Sequence, residues 1–556
     1  MDTLLTAEIA ANAPRYRRKS STFIDGIHDV PEDQDMAPAQ LYSTMSGRLF
    51  HSGRIAIVMA GPPARGKTHI CVSMSRYLQW LGVKTRIFHL GDYRRATIGE
   101  GGSVPQDYFF PNASPSSVIL RQKILKKCRE DIYSWLNHEN GQVAIYDAVN
   151  PTASGRRSLA REFAKHDVQT LFIESYVDDE RILRENARNV KISSPDLHEF
   201  AEMDPDAAAQ LYLKRIQMRI PIFETMDEPE LNYVRMINAG AKFFYNNVSF
   251  NYLSHRIVFY LTNTHIKSRA TYFVRAGATT EEDSYKADAP LSEKGMAYTK
   301  IMSETLLKHR EQERADLIEK GGADVPLRPL SVWTSTRLRT IQTADYLKDK
   351  GFKVRQRSQL SQINPGVCEK MSQRVIRQIY PEEVEKHELD PYHHRYPRAE
   401  SYHDLAVRLE PIILELEREQ NDLLIIAHES VLRVLYAYLM HCSTNVIPSL
   451  KFPRDEIIEI IPAAYQNEAK RIHIPGLDPK IVPSSPDGTK ITIPGSGVPS
   501  GIASGITSGI ASGVASGDMS PLPGPSTPAE PVVERPPEKV INTAKDMVAD
   551  KVDDED

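Results

Sequence analysis

The stretch from Ile55 to His69 reads IAIVMAGPPARGKTH: an apolar run, a glycine-bounded loop and the start of a helix-forming segment. The run is short and rich in β-branched residues, which suits a buried strand. The loop residues Gly61, Pro62, Pro63, Ala64, Arg65, Gly66, Lys67 and Thr68 fit the pattern GxxxxGK[ST], in the strand-then-helix setting that gives the pattern its meaning. Such a loop turns backbone N–H groups and a helix N-terminus toward phosphate oxygens, with the lysine reaching the outer phosphates and the Thr68 hydroxyl meeting Mg2+. A glycine-rich turn with no ligand is the competing reading, and the flanking strand and helix argue against it.

Working outward, the next chemistry-bearing stretch is QVAIYDAVN, with Asp147 near its end. An acidic residue at the C-terminal end of a strand can hold Mg2+ or receive a hydroxyl proton; alone it would more often cap the next helix, but beside a phosphate loop it joins Lys67 as a catalytic candidate. Arg94 and Arg95 follow the strand-like TRIFHLG. Arginine is the residue type for forked phosphate recognition, and a solvated pair is the bland alternative.

The runs IAIVMAG, TRIFHLG, QVAIYDA and TLFIESY alternate with helix-length segments, which predicts a parallel α/β sheet over residues 51–265. A second series, ATYFVRAG, LSVWTST and DLLIIAHES, with a helical stretch over Tyr402–Glu419, predicts a second α/β domain over 266–475. Residues 1–50 are polar and proline-punctuated, and read as a mobile arm. The segment 476–556 repeats SGIA, SGIT, SGIA and SGVA before a proline-rich, acidic end, and reads as disordered because it offers too little apolar area to bury.

At 556 residues the chain is too long for one core, and 41% apolar with 26% charged residues suits a globular protein. A net charge of −4 gives no reason to expect nucleic acid or an anionic membrane as partner. Cys71, Cys128, Cys368 and Cys442 form no CxxC pair, so neither a disulfide framework nor a cysteine zinc site is indicated, and the expected compartment is the cytoplasm. No run of about 18 apolar residues could span a bilayer, and the opening MDTLLTAEIAANAP lacks the pattern of a secretory leader.

Several motifs then fall in one family order. Gly61–Thr68 with His69, GDYRR (91–95), YDAVN (146–150), VKISSPD (190–196) and LKRI (213–216) resemble 6-phosphofructo-2-kinase, over most of 51–265. The resemblance implies a P-loop NTPase-like domain in which Lys67, Thr68 and Asp147 serve ATP and Mg2+, Asn186 and Lys191 lie near the nucleotide, and Arg94 with Arg215 contact the sugar phosphate. Four positions depart from the family pattern: Pro111 stands for an arginine, Val149 for a threonine, Val177 for a cysteine and Arg219 for a tyrosine. Losing a hydrogen bond to a buried polar ligand group costs about 1–3 kcal/mol.

The second half resembles the histidine phosphatases, in a phosphoglycerate mutase-like α/β fold, through LSEKG (291–295), VWTSTRLRTIQTA (332–344), GVCEKM (366–371), RYPRAESY (395–402) and AHES (427–430). In that family the first strand ends in Arg-His-Gly, whose histidine attacks phosphorus. Here the stretch is YFVRAG, with Arg275 and Gly277 around Ala276. A methyl group has no lone pair with which to form a phosphoenzyme. By the resemblance, Arg339 is the second phosphate-binding arginine, Glu369 the general acid, His428 the second histidine, and Arg395 with Arg398 are basic sugar-phosphate contacts.

The whole chain thus resembles the bifunctional 6-phosphofructo-2-kinase/fructose-2,6-bisphosphatases, as a fungal-type member with a degenerate phosphatase half. The leading expectation is a kinase acting on fructose 6-phosphate. Two others stay open: a non-catalytic regulator that binds ATP and a sugar phosphate, and a kinase for another phosphorylated sugar. The pattern leaves room for a homodimer. Arg17-Arg18-Lys19-Ser20 matches the RRxS motif of basophilic protein kinases, which makes Ser20 a candidate phosphorylation site.

Overall fold

The structure, a computed structural model, describes residues 37–39, 54–98, 105, 107–108, 112–193, 205–219, 223–248, 251–265, 269–279, 288–319, 326–462 and 467–477. Ser20, Pro111 and nearly all of the expected tail lie outside them. Of the expected arm, residues 37–39 are described. Ala39 is buried and donates its N–H to the carbonyl of Trp80 at 3.0 Å, and Tyr392 donates its hydroxyl to the Pro38 carbonyl at 2.6 Å.

The first sheet collects β1 (Ile55–Ala60), β2 (Thr85–His89), β3 (Val143–Asp147), β4 (Gln169–Tyr176), β5 (Tyr233–Ile237) and β6 (Lys242–Asn246) in the order β2-β3-β1-β4-β5-β6. All residues of β1 are buried, as its unbroken apolar run requires. The chain leaves β1 toward β2 and β3 on one side and continues to β4 and β5 on the other. The crevice at the C-terminal end of β1 is therefore the topological switch point where parallel sheets bind ligands. The sequence predicts a parallel sheet, and β6 departs from it by running antiparallel to β5. A tight turn with positive φ at Asn238, Ala239 and Gly240 reverses the chain there.

The second sheet holds β7 (Thr271–Arg275), β8 (Leu330–Thr334), β9 (Lys353–Gln356), β10 (Asp422–Ala427), β11 (Glu456–Ile461) and β12 (Glu468–His473) in the order β12-β11-β7-β10-β8-β9. β7, β10, β8 and β9 are parallel; β11 is antiparallel to β7 and to β12. The helix expected over Tyr402–Glu419 is two helices, Tyr402–Arg408 and Glu410–Arg418. Pro411, in the first turn of the second, has no N–H to continue the ladder and its ring clashes with the carbonyl of Val407.

The two sheets share a core. The helix Lys67–Trp80 starts at the phosphate loop and carries Ile70, Met74, Tyr77 and Trp80 into a cluster with Ile413, Leu416, Leu435 and Tyr438 of the second half. Polar pairs close the seam: Arg76 meets Glu417 at 2.7 Å, and Glu410 accepts from Tyr77 at 2.9 Å and from Arg256 at 2.6 Å. Tyr438 donates to Glu417 at 2.6 Å and meets the Trp80 ring edge-on. Among the described residues, no helix is long and apolar enough to cross a membrane.

Candidate functional site

Where β1 ends, the backbone takes conformations that few residues tolerate. Gly61 has φ 131°, and a Cβ there would stand 2.6 Å from the carbonyl oxygen of Ser175, so only glycine fits. Gly66, at φ 78°, caps the helix Lys67–Trp80. Side chains claim the loop's carbonyls: Lys67 donates to Pro62 at 2.7 Å, Arg65 to Pro63 at 3.0 Å, Asn186 to Ala64 at 3.2 Å, and Ser175 to Arg65 at 2.6 Å. Among the described residues, the N–H groups from Ala64 to Thr68 face no protein acceptor. That leaves a set of donors at a helix N-terminus, the arrangement that binds an anionic phosphate group.

β3 is parallel to β2, and their register sets His89 opposite Asp147 at the ends of the two strands. His89 Nδ1 and Thr68 Oγ1 both meet Asp147 Oδ2, at 2.9 and 2.8 Å. Burial alone would raise the Asp147 carboxyl, but the His89 hydrogen bond, the Lys67 charge and the Thr68 hydroxyl hold it below its ordinary value. Burial lowers Lys67 to about 8, against the pull of Asp147. A hydroxyl and a carboxylate side by side offer the hard oxygen ligands that Mg2+ takes.

The structure thus brings Gly61–Thr68, Asn186 and Asp147 together. It adds His89 and Ser175, which the sequence reading missed; the one available signal for His89 was its place at the end of a strand that could pair with QVAIYDA. Arg94 and Arg95 lie on the helix Leu90–Ile98, which begins one residue after His89. Arg95 pairs with Asp92, and Arg94 acts on the phenol of the buried Tyr108. Lys191 and Arg215 fall on the helices Glu180–Ser193 and Pro205–Arg219, and their side chains lie outside what the structure describes, as does that of Arg219. Val149 accepts from the Gly61 N–H at 3.0 Å, and Val177 is buried.

A second cluster forms at the C-terminal ends of β7 and β10. Their register pairs Arg275 with Ala427, so Ala276 and His428 follow side by side. Ala276 is buried, and its backbone is fixed by Ala427, which accepts its N–H at 3.0 Å, and by Arg454, which donates to its carbonyl at 2.8 Å. Burial, joined by the charges of Arg339, Arg337, Arg275 and Arg408, pushes His428 well below its ordinary value, so the ring is neutral. His428 is 5% exposed, and neither ring nitrogen has a hydrogen-bond partner. Arg275 pairs with Glu429 at 3.0 Å, and Arg339 donates to Gln362 at 2.5 Å. Arg337 and Arg408 are further members that the sequence reading did not single out.

The other expected members differ in burial and partners. Glu369 and Arg398 are exposed, and Arg395 is engaged by Asp404 through both its Nε and a terminal nitrogen. The cluster is cationic around a neutral imidazole and an inert methyl. It can bind an anion, and it offers no nucleophile at position 276.

A family model described as 6-phosphofructo-2-kinase matches residues 42–268, and one for the histidine phosphatase superfamily (branch 1) matches residues 271–474. A Saccharomyces cerevisiae protein, YLR345W, provisionally named a 6-phosphofructo-2-kinase/fructose-2,6-bisphosphatase, is 39% identical over 81% of this chain and 89% of its own length. The human 6-phosphofructo-2-kinase/fructose-2,6-bisphosphatase 1 is 36% identical over 80% of this chain and 90% of its own. The rat enzyme 3 of the same name is 36% identical over 75% of this chain and 72% of its own.

Proposed function

Because the chain belongs to the 6-phosphofructo-2-kinase/fructose-2,6-bisphosphatase family, we propose that its first half transfers the γ-phosphoryl group of ATP to the 2-hydroxyl of fructose 6-phosphate, and that its second half hydrolyses nothing. The observation that carries the kinase reading is the convergence of Lys67, Thr68, His89 and Asp147 on one another at the switch point of the first sheet. Lys67 would exchange the Pro62 carbonyl for phosphate oxygens, and the free N–H groups from Ala64 to Thr68 would surround the phosphate chain. Thr68 and Asp147 would hold Mg2+, which neutralises the charge that develops on the phosphates. Asp147 stays a carboxylate at neutral pH and so suits either metal binding or acceptance of the hydroxyl proton. Arg94 and Arg215 are the proposed contacts to the sugar phosphate.

In the second half, Ala276 carries the reading of lost hydrolysis, because no phosphohistidine can form there. Arg275, Arg339 and His428 would retain a phosphate group without cleaving it. A kinase for another phosphorylated sugar is the second reading, favoured by Val149, an apolar residue where the resemblance implies a hydroxyl, whose backbone carbonyl accepts from the Gly61 N–H. Purified protein with ATP and a panel of sugar phosphates, with products identified by mass, separates the two. Turnover with fructose 6-phosphate supports the first; turnover with another sugar phosphate alone supports the second, and none with any overturns both.

A further inference from the structure

The second sheet carries a group of side chains far along the chain from either phosphate site. His309 and Glu313 lie one helical turn apart on the helix Glu293–Glu319, and Glu459 sits on β11 beneath them. His309 Nε2 is 3.4 Å from Glu313 Oε1 and 3.3 Å from Glu459 Oε2, and the three ligand atoms lie within 4.8 Å of one another. We propose that His309, Glu313 and Glu459 form a binding site for a divalent transition-metal cation of the Zn2+ type, with water completing the coordination.

The spacing is the first support. Both contacts are long for hydrogen bonds between an imidazolium and a carboxylate, which close to about 2.7–2.9 Å when nothing lies between them. A tetrahedral Zn2+ bound by imidazole and carboxylate at about 2.0–2.2 Å holds its ligand atoms roughly 3.3–3.5 Å apart. The two separations from His309 match that spacing, and the third pair lies within 4.8 Å. Imidazole is a poor partner for Ca2+ or Mg2+, so the set selects a borderline cation.

The second support is Glu459. Its side chain is 1% exposed, and its Oε1 has no hydrogen-bond partner. A buried carboxylate with one oxygen unmet is costly, and a cation held at Oε2, the oxygen that faces His309, would offset the charge of the group as a whole. The groups around the site are few. Lys470, cross-strand from Glu459 on β12, comes within 3.8 Å of Glu313; Tyr272, paired with Glu459 on β7, feels both carboxylates; Arg310 is taken up by Asp422 at 2.8 Å. Lys470 is thus the competing cation.

Hydrogen bonds to Glu313 and Glu459 raise His309 to about 9, so in the metal-free protein it is protonated at neutral pH. Because the folded value lies above the ordinary one, protonated His309 contributes stability that is complete below about 6.5 and is lost as pH rises through about 9.

The test is calorimetric titration of the chelator-treated full chain with ZnCl2 in excess Mg2+, which occupies the Thr68 and Asp147 oxygens. The expected result is one Zn2+ site, weakened by about 100-fold or more in His309→Ala and Glu313→Gln, since a lost ligand costs at least what a lost outer partner does. Lys470→Ala removes the competitor and tightens it. Glu313 and Lys470 side chains are 36% and 52% exposed, so those variants keep the test valid should His309→Ala fail to fold. Absence of Zn2+ binding by the wild-type chain, or an affinity that ignores both Glu313→Gln and Lys470→Ala, overturns the proposal.

Discussion

The two proposed phosphate sites stand on the same architecture, the C-terminal ends of adjacent parallel strands, and they differ in how their polar groups are occupied. In the first, Asp147 is held by His89 and Thr68, and Lys67, Arg65, Asn186 and Ser175 each grip a loop carbonyl. In the second, His428 has no hydrogen bond on either nitrogen, and Arg275 is engaged by Glu429. In the first cluster the polar groups around the loop and Asp147 organise one another without ligand. The second, which has lost its central imidazole, leaves one neighbour unmet and another paired within the protein.

The sharpest way to break that contrast is Ala276→His. The surrounding arginines and His428 persist, so if the wild-type chain releases no phosphate, as proposed, the variant should show measurable release from fructose 2,6-bisphosphate, with a trapped phosphoenzyme. Position 276 is 3% exposed, and overpacking there should cost about 1–3 kcal/mol of stability, read as a lower melting temperature. If the variant folds and stays inert, the pocket has decayed beyond its nucleophile.

Asp147→Asn keeps the shape and removes the charge that meets His89 and Thr68. Turnover should fall by about 100-fold or more, as expected when metal and proton handling are lost together, while the far-ultraviolet dichroism is unchanged. Lys67→Ala should weaken ATP·Mg2+ binding by about tenfold or more in calorimetry, the loss of a charge-assisted contact to phosphate. Equal affinity in both proteins would remove Lys67 from the site.

The smallest effect is one of pH. Lys67 is lowered from 10.5 to about 8, so charging it is disfavoured in the fold; below about 8 the ammonium subtracts stability, and the penalty fades as pH rises toward 10.5. An anionic triphosphate relieves that penalty only while Lys67 is charged. Nucleotide affinity should therefore fall as pH climbs above about 8, by up to about tenfold per unit. A flat profile in wild type would detach the lysine from the nucleotide.

The sequence made the first site legible because its residues are nearly contiguous: Gly61–Thr68 is one turn and Asp147 ends the neighbouring strand. His89 was hidden, since its role depends on strand register that no local pattern reports. In the second half, Ala276 could be read directly against its Arg-x-Gly frame. Arg337 and Arg408 could not, because their charges act on His428 across the fold, from a helix start and from a helix end whose boundary Pro411 sets. The antiparallel edge strands β6 and β12 escaped for a similar reason: both are largely exposed and lack the unbroken buried apolar runs that revealed β1 and β3.

The proposed function has one site working and the other silent in the same chain. Its most direct test follows fructose 2,6-bisphosphate over time in purified protein given fructose 6-phosphate and a limiting amount of ATP·Mg2+. The product should rise until ATP is exhausted and then hold level. Failure to form it, or its decay to fructose 6-phosphate and inorganic phosphate after the ATP is gone, would contradict the account.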